Sequence, residues 1–341
     1  MNNYDNTLYV TTQGAYLACE RENLLVRVNK ETRRRFPVHT LGGVVCFGNV
    51  SFSPFALGLC GRNGVSVSLL TEQGRFLARM EGPCSGNVLL RRAQYRISAD
   101  LDLAAEIARA SVGAKIANSR TVLLRAGRDR PNPPEALRLA SGRMAESLAR
   151  CQHPMDLETL RGLEGDAARD YYAVFDQLIT ANKDAFRFEG RSRRPPRDRV
   201  NALLSFLSVM LAHDARSACE AVGLDPQVGF LHRDRPGRAS LALDLMEELR
   251  PVLVDRLTLS LINRKQVAAD GFRVTESGAV EMDDKTRKAV LVAWQKRKTD
   301  EITHPFLGEK ITIGLLPHIQ ARLLARHIRG NLDAYPAFFW K

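Results

Sequence analysis

Six cysteines are scattered through the 341 residues without one CxxC pair, so neither a zinc ribbon nor a disulfide-stapled scaffold is encoded. Cys19, Cys46, Cys60, Cys84, Cys151 and Cys219 are instead expected as small buried apolar residues. No run of about 18 apolar residues occurs, and the opening MNNYDNTLYV lacks the charged start and apolar stretch of a secretion signal. A cytoplasmic protein with no membrane association is therefore expected, and the sequon Asn49-Val50-Ser51 is read as chance. Internal repeats and low-complexity tracts are missing too. Acid is in short supply: 38 Asp and Glu face 50 Lys and Arg, a formal charge of +12, which points to a polyanionic partner, nucleic acid first among them.

What is present is a chain with 45% hydrophobic residues, ample for folded cores and long enough for two domains. Up to about residue 90 short β-like runs (TLYVTT, AYLACE, LLVRVN, RFPVHT, GGVVCFG, VSVSLL, RFLARM) alternate with glycine turns, which predicts a small β-sandwich. Ser53 to Cys60 reads as a short helical interruption. From Leu89 the apolar spacing changes to i, i+3, i+4, i+7, and helices are predicted at about 88–96, 99–126, 133–151, 155–179, 199–221, 239–262, 284–301 and 312–328. GFRVTESGAVEMD, 271–283, reads as an inserted hairpin turning at Glu276-Ser277-Gly278. The expected class is α+β: a β-sandwich domain, 1–90, and a larger α-helical domain, 91–341.

The chemistry concentrates in three islands. In GFLHRDRPGRASLALDLMEELRP, 229–251, Pro236 and Gly237 keep His232 in a loop, while Asp244, Glu247 and Glu248 follow on a helix where i, i+3 and i, i+4 spacing lets two carboxylates converge. One imidazole with carboxylate oxygens suits Mg²⁺ or Mn²⁺; a capped surface helix with acids in its first turns is the alternative. In LRGLEGDAARDYYAVF, 160–175, Glu164 lies between Gly162 and Gly165, which marks either close approach of a ligand or another backbone, or a helix ending at Gly162 with a second beginning near Asp166. In FRFEGRSRRPPRDRVN, 186–201, six arginines (Arg187, Arg191, Arg193, Arg194, Arg197 and Arg199) fall within thirteen residues on a proline-stiffened segment, a candidate phosphate-binding loop. Arg233, Arg235 and Arg238 extend this basic surface beside His232. Further clusters are Arg33-Arg34-Arg35, Arg264-Lys265 and Lys296-Arg297-Lys298. Carboxylates and a histidine inside a basic groove are what metal-assisted phosphodiester chemistry requires.

Together LRGLEGDAAR, RRPPRDRVNALLSFL (193–207), GFLHRDRPGRASLALDLMEELRP, NRKQ (263–266) and GPCSGNVLLRRAQY (82–95) resemble the CRISPR-associated adaptation integrases of the Cas1 family, most closely the type I-C subgroup. The resemblance spans nearly the whole chain. It implies a dimerising β-sandwich, a helical catalytic domain, and metal-dependent transfer of a prespacer 3′-OH onto a repeat phosphodiester. It also implies a homodimer, two of which flank a Cas2 dimer, with double-stranded prespacer DNA and CRISPR repeat DNA as substrates and a Cas4 nuclease as a candidate further partner. Carried over by motif, Glu164, His232 and Glu247 are the ligands of Mg²⁺ or Mn²⁺, and Asp244 is an additional catalytic acid. Glu248 becomes a solvent or salt-bridge residue. Ser208 stands where relatives often carry tyrosine, and Tyr171 and Tyr172 are expected to pack rather than react. Two other readings use the same residues: a metal-dependent endonuclease acting on branched DNA, and a non-catalytic DNA-binding scaffold.

Overall fold

The computed structural model describes residues 6–80, 82, 88–128 and 130–340; Cys84 and positions 83–87 of the GPCSGN motif lie outside them. The chain divides into two compact units, and the α+β expectation holds for both. The first comprises the residues up to 85 together with 290–301 and 312–315, so the chain returns late to the unit it began.

Two four-stranded sheets form this first unit. One has the order β1 (Thr7–Val10), β5 (Gly43–Phe47), β7 (Ser66–Leu70), β8 (Phe76–Met80); the other has β4 (Glu31–Pro37), β3 (Asn23–Val28), β2 (Ala15–Glu20), β6 (Val50–Phe52). β6 escapes the sequence pattern because it has only three residues. β1 with β5, β5 with β7, and β2 with β6 are parallel pairs, which need crossovers rather than hairpins. Helix α1 (Pro54–Arg62) supplies one crossover; Ser53 caps it by accepting Ala56 N–H at 3.1 Å, and Pro54 occupies its first turn. Val44, Val67, Leu17, Leu24, Leu59 and Cys60 meet in the core, where burial pushes the Cys46 and Cys60 thiols up to about 12 and 11. Arg33, Arg34 and Arg35 are exposed on the edge strand β4, where charge discourages further strand pairing.

The second unit is helical: α2 (Val88–Ala99), α3 (Leu101–Arg128), α4 (Glu135–Arg150), α5 (Leu157–Ala173), α6 (Arg199–Val222), α7 (Ser240–Arg250), α8 (Arg256–Asn263), α9 (Asp284–Lys298) and α10 (Leu316–Ile328), with α9 running on into the first unit. α3 is central. Its small buried residues, Ala104, Ala108, Ser111, Gly113 and Ala114, let α4, α5 and α7 pack against it. The single helix expected over 239–262 is divided by a π-helical turn, Pro251–Asp255, because Pro251 offers no N–H for a regular α turn. The predicted hairpin is β9 (Phe272–Val274) paired with β10 (Val280–Met282); a second, β11 (Glu301–Thr303) with β12 (Lys310–Thr312), is too short to leave a sequence pattern. Among the described residues no helix is long and apolar enough to cross a membrane.

Candidate active site

Asp244, on the second turn of α7, organises the loop before that helix. Its carboxylate accepts the backbone N–H groups of Phe230 (2.6 Å), Leu231 (3.0 Å) and His232 (3.0 Å), and its Oδ1 stands 2.6 Å from His232 Nδ1. A carboxylate has about four acceptor sites, so this one is filled. The packing is tight enough that a Cβ on Gly229 would lie 2.7 Å from Asp244 Oδ2 and 2.9 Å from the Ser240 backbone, which only glycine avoids. With Nδ1 bound to Asp244, the nitrogen left to His232 for a ligand is Nε2, the carboxylate–histidine arrangement that orients metal-binding imidazoles. Arg161 of α5 braces the loop from the other side, donating to the Leu231 carbonyl at 2.7 Å.

Glu247 lies one turn further along α7, buried, with Arg250 Nη1 at 3.2 Å and Lys115 Nζ at 2.5 Å from its Oε2. The same Lys115 ammonium binds Glu164 Oε1, bringing α5 and α7 together through α3. Burial would push the Glu247 carboxyl up, but Arg250, Lys115 and His232 together hold it far below the usual carboxylate range. Burial likewise works against the Lys115 ammonium, and Glu247 and Glu164 more than reverse it. Glu164 is the more open acid, with 26% of its side chain exposed against 8% for Glu247. Of the readings of its flanking glycines, the helix end at Gly162 and the close approach of another backbone segment of this chain do not hold. α5 runs unbroken from Leu157 to Ala173, and a Cβ at Gly162 or Gly165 would meet nothing within 4 Å, so no part of this protein presses on them.

Glu248 corrects the expectation of a solvent or salt-bridge residue. It is fully buried on a neighbouring face of α7, where its carboxyl accepts from the Tyr335 hydroxyl, Gln320 Nε2 (3.2 Å) and Phe338 N–H (2.6 Å). Burial among neutral donors pushes it up to about 7. Asn118 of α3 completes this seat, donating to the carbonyls of Glu248 (2.7 Å) and Phe338 (2.8 Å).

The arginines divide by task. Arg191 donates to Asn201 Oδ1 (2.8 Å) and Ser205 Oγ (3.1 Å), bracing its loop against α6, and Arg199 donates to the carbonyls of Ala185 (2.9 Å) and Ala269 (3.2 Å), tying the start of α6 to the segments on either side. Arg193, Arg194 and Arg197 are exposed, as is Arg187 beside Glu189. The hairpin is tied to this loop by Val280 N–H donating to the Pro196 carbonyl at 2.8 Å, and a cleft of about 530 Å³ opens between them with Arg187, Arg197 and Arg273 in its walls. Beside His232, Arg233 pairs with Glu158 at 2.7 Å, Arg235 is exposed and Arg238 is half-buried. Tyr171 and Tyr172 pack with Phe175, as expected. Ser208 Oγ donates to the Leu204 carbonyl of its own helix at 2.6 Å.

Among the described residues no three His, Cys, Asp or Glu side chains gather about one point, and Lys115 stands between Glu164 and Glu247. The donor set nevertheless fits a hard divalent ion: two carboxylates aimed at a common cationic atom, and beside them an imidazole whose orientation is fixed by a third carboxylate. Lys115, Arg250 and Arg161 are absent from the sequence reading. The available signal was Lys115 itself, a charged residue on the apolar stripe of a helix rich in alanine.

The family model for CRISPR associated protein Cas1 matches residues 8–296. The chain belongs to the Cas1 family. A curated relative from Chlorobaculum tepidum named CRISPR-associated endonuclease Cas1 1 is 54% identical over the full length of both chains, and one from Rhodospirillum rubrum, CRISPR-associated endonuclease Cas1 2, is 54% identical over 98% of each. A Geobacter sulfurreducens protein named as a fusion of the exonuclease Cas4 with the endonuclease Cas1 is 35% identical over 97% of this chain and 60% of its own length. Two solved structures share the Cas1 fold at 22% identity and TM-score 0.82, each covering 98% of this chain: a casposase bound to integration product, matched over 94% of its length, and a Cas6-RT-Cas1–Cas2 complex, matched over 36%.

Proposed function

We propose that this Cas1-family enzyme is a CRISPR adaptation integrase whose site consists of Glu164, His232 and Glu247 around Mg²⁺ or Mn²⁺. The observation that carries the reading is the convergence of Glu164 and Glu247 on one cationic position beside a histidine whose Nδ1 is taken by Asp244. A divalent ion held there supplies Lewis-acid polarisation of a phosphodiester. Glu164 and Glu247 give it oxygen ligands and His232 gives Nε2, while Asp244 positions that imidazole rather than serving as a separate catalytic acid. In strand transfer the prespacer 3′ oxygen bonds to the repeat phosphorus as the repeat's own 3′ oxygen departs, so one phosphodiester replaces another. The open side of α5 over Gly162 and Gly165 leaves room for a DNA backbone to approach Glu164. Arg193, Arg194, Arg197, Arg187, Arg235 and Arg238 supply phosphate contacts, and Arg191 and Arg199 hold the loop that presents them.

The relatives' endonuclease names favour a second use of the same site, in which water replaces the 3′-OH and branched DNA is cut. The names of a neighbour in complex with Cas2 and of relatives fused to Cas4 support Cas2 and Cas4 as partners; the motif resemblance extends this to a cytoplasmic homodimer, two of which flank a Cas2 dimer, in a type I-C system. A repeat-bearing plasmid incubated with a prespacer, Cas2 and Mg²⁺ or Mn²⁺ tests this. Joined product that disappears in EDTA is expected; nicking without joining favours the hydrolytic reading, and metal-independent activity contradicts both.

A further inference from the structure

The two carboxylates read above as metal ligands already share a cation in this structure, the Lys115 ammonium. Glu164 and Glu247 are matched one for one by Lys115 and Arg250. Adding a divalent ion with Lys115 in place would leave two positive charges uncompensated where side chains are largely buried, and burial makes such an excess costly. Withdrawal of one cation would relieve that cost. Arg250 is held on Glu247 through both carboxylate oxygens, at 3.3 and 3.2 Å, and is buried within its own helix. Lys115 reaches the acids on a flexible four-carbon stem and can withdraw without moving α3.

A destination for it exists. A narrow cavity is lined by Lys115, Glu164, Tyr171, Tyr172, Arg250 and Asp255, with about 10 Å³ of free space, close to one water-sized and hence ammonium-sized group. Asp255 is 1% exposed; its Oδ1 has no hydrogen bond of its own, while the Tyr171 hydroxyl and the guanidiniums of Arg250 and Arg191 face the carboxylate. A buried carboxylate oxygen without a hydrogen bond is rare in a protein interior and offers an acceptor site to an arriving donor. Burial pushes the Asp255 carboxyl up to about 6, a cost that an arriving ammonium would relieve.

We propose that Lys115 is a tethered placeholder: it keeps Glu164 and Glu247 together before the divalent ion binds, then yields them by moving its ammonium onto Asp255. The proposal rests on the reading of Glu164 and Glu247 as ligands. Under it Lys115 competes with the metal, Asp255 favours the metal-bound state by receiving the lysine, and Asp255 acts only through Lys115.

Mn²⁺ binding to the full chain, followed by titration calorimetry and by the spin resonance of free Mn²⁺, tests each link. Lys115→Met removes the competitor and should bind Mn²⁺ about tenfold more tightly than the wild type, whereas Asp255→Asn should bind about threefold more weakly. In the Lys115→Met background, Asp255→Asn should have no further effect. Unchanged or weaker binding by Lys115→Met overturns the proposal, as does an Asp255→Asn effect of the same size in both backgrounds. Should Lys115→Met not melt cooperatively in EDTA, Lys115→Gln, uncharged but still able to hydrogen-bond one carboxylate, replaces it under the same criteria. Failure of the underlying ligand reading looks different: wild-type protein then shows no saturable Mn²⁺ binding that Glu164→Gln abolishes.

Discussion

Glu247 and Glu248 are consecutive, both buried, and on the same helix, yet their carboxyls are driven in opposite directions. Glu247 faces Lys115, Arg250 and the His232 loop, and charged partners keep it ionised against its burial. Glu248 faces Tyr335, Gln320 and the Phe338 backbone, whose neutral hydrogen bonds only partly offset the same penalty, and it rises to about 7. Burial alone therefore says little about what a carboxyl does; the sign of its neighbours decides. One acid is prepared to hold a cation, and the other anchors the C-terminal segment to α7, where Trp340 is stacked by Arg125 (3.7 Å) and Arg256 (4.1 Å).

The largest effect is expected at the ligands: alanine at Glu164 or His232 should lower strand transfer by about 10²–10³-fold or more while leaving DNA binding largely intact, since such groups stabilise charge in the transition state. Asp244→Asn comes next. It keeps the size of the side chain but weakens the hold on His232, and Mn²⁺ affinity should fall by about 10–100-fold, as for other groups that orient a metal-binding histidine; unchanged affinity would remove Asp244 from that role.

Stability should then separate the two glutamates by pH. Glu248, raised from 4.5 to about 7, is protonated in the folded state over a range where the unfolded chain has lost the proton. Its stabilising contribution is thus complete below about pH 4.5 and declines as pH rises through about 7, a loss on the order of 3 kcal/mol. Glu247 behaves oppositely, since its contribution is present above pH 4.5 and is lost as pH falls below it. Calorimetric melting of Glu248→Gln should show a shallower decline between pH 5 and pH 8 than the wild type; an unaltered slope would place the titration elsewhere. The smallest effect belongs to the basic loop. Charge reversal at both Arg193 and Arg194 should reduce the slope of log affinity against log salt by roughly two, about one per lost phosphate contact. Arg191→Ala should instead lower the melting temperature, because its donors hold Asn201 and Ser205.

The halves of the chain were unequally legible. Alternation and turn residues disclosed most of the sandwich strands but not the three-residue β6, and periodicity located the helices but not the π turn at Pro251. His232, Asp244 and Glu247 could be found because a proline–glycine break and helical spacing are local signals. Lys115 and Asp255 could not, because their meaning depends on three helices meeting. Glu248 was misjudged for the same reason: its partners lie 72 to 90 residues away, in the segment from Gln320 to Phe338. Arg191 and Arg199 read as phosphate contacts by composition alone, while the fold employs them on nearby carbonyls and side chains.

The most direct test places Glu247→Gln beside Glu248→Gln in one Mn²⁺-dependent strand-transfer assay with a repeat-bearing plasmid and a prespacer. Glu247→Gln should give no joined product while still binding the DNA, and Glu248→Gln should join at a rate close to that of the wild type. Wild-type joining by Glu247→Gln would contradict the account.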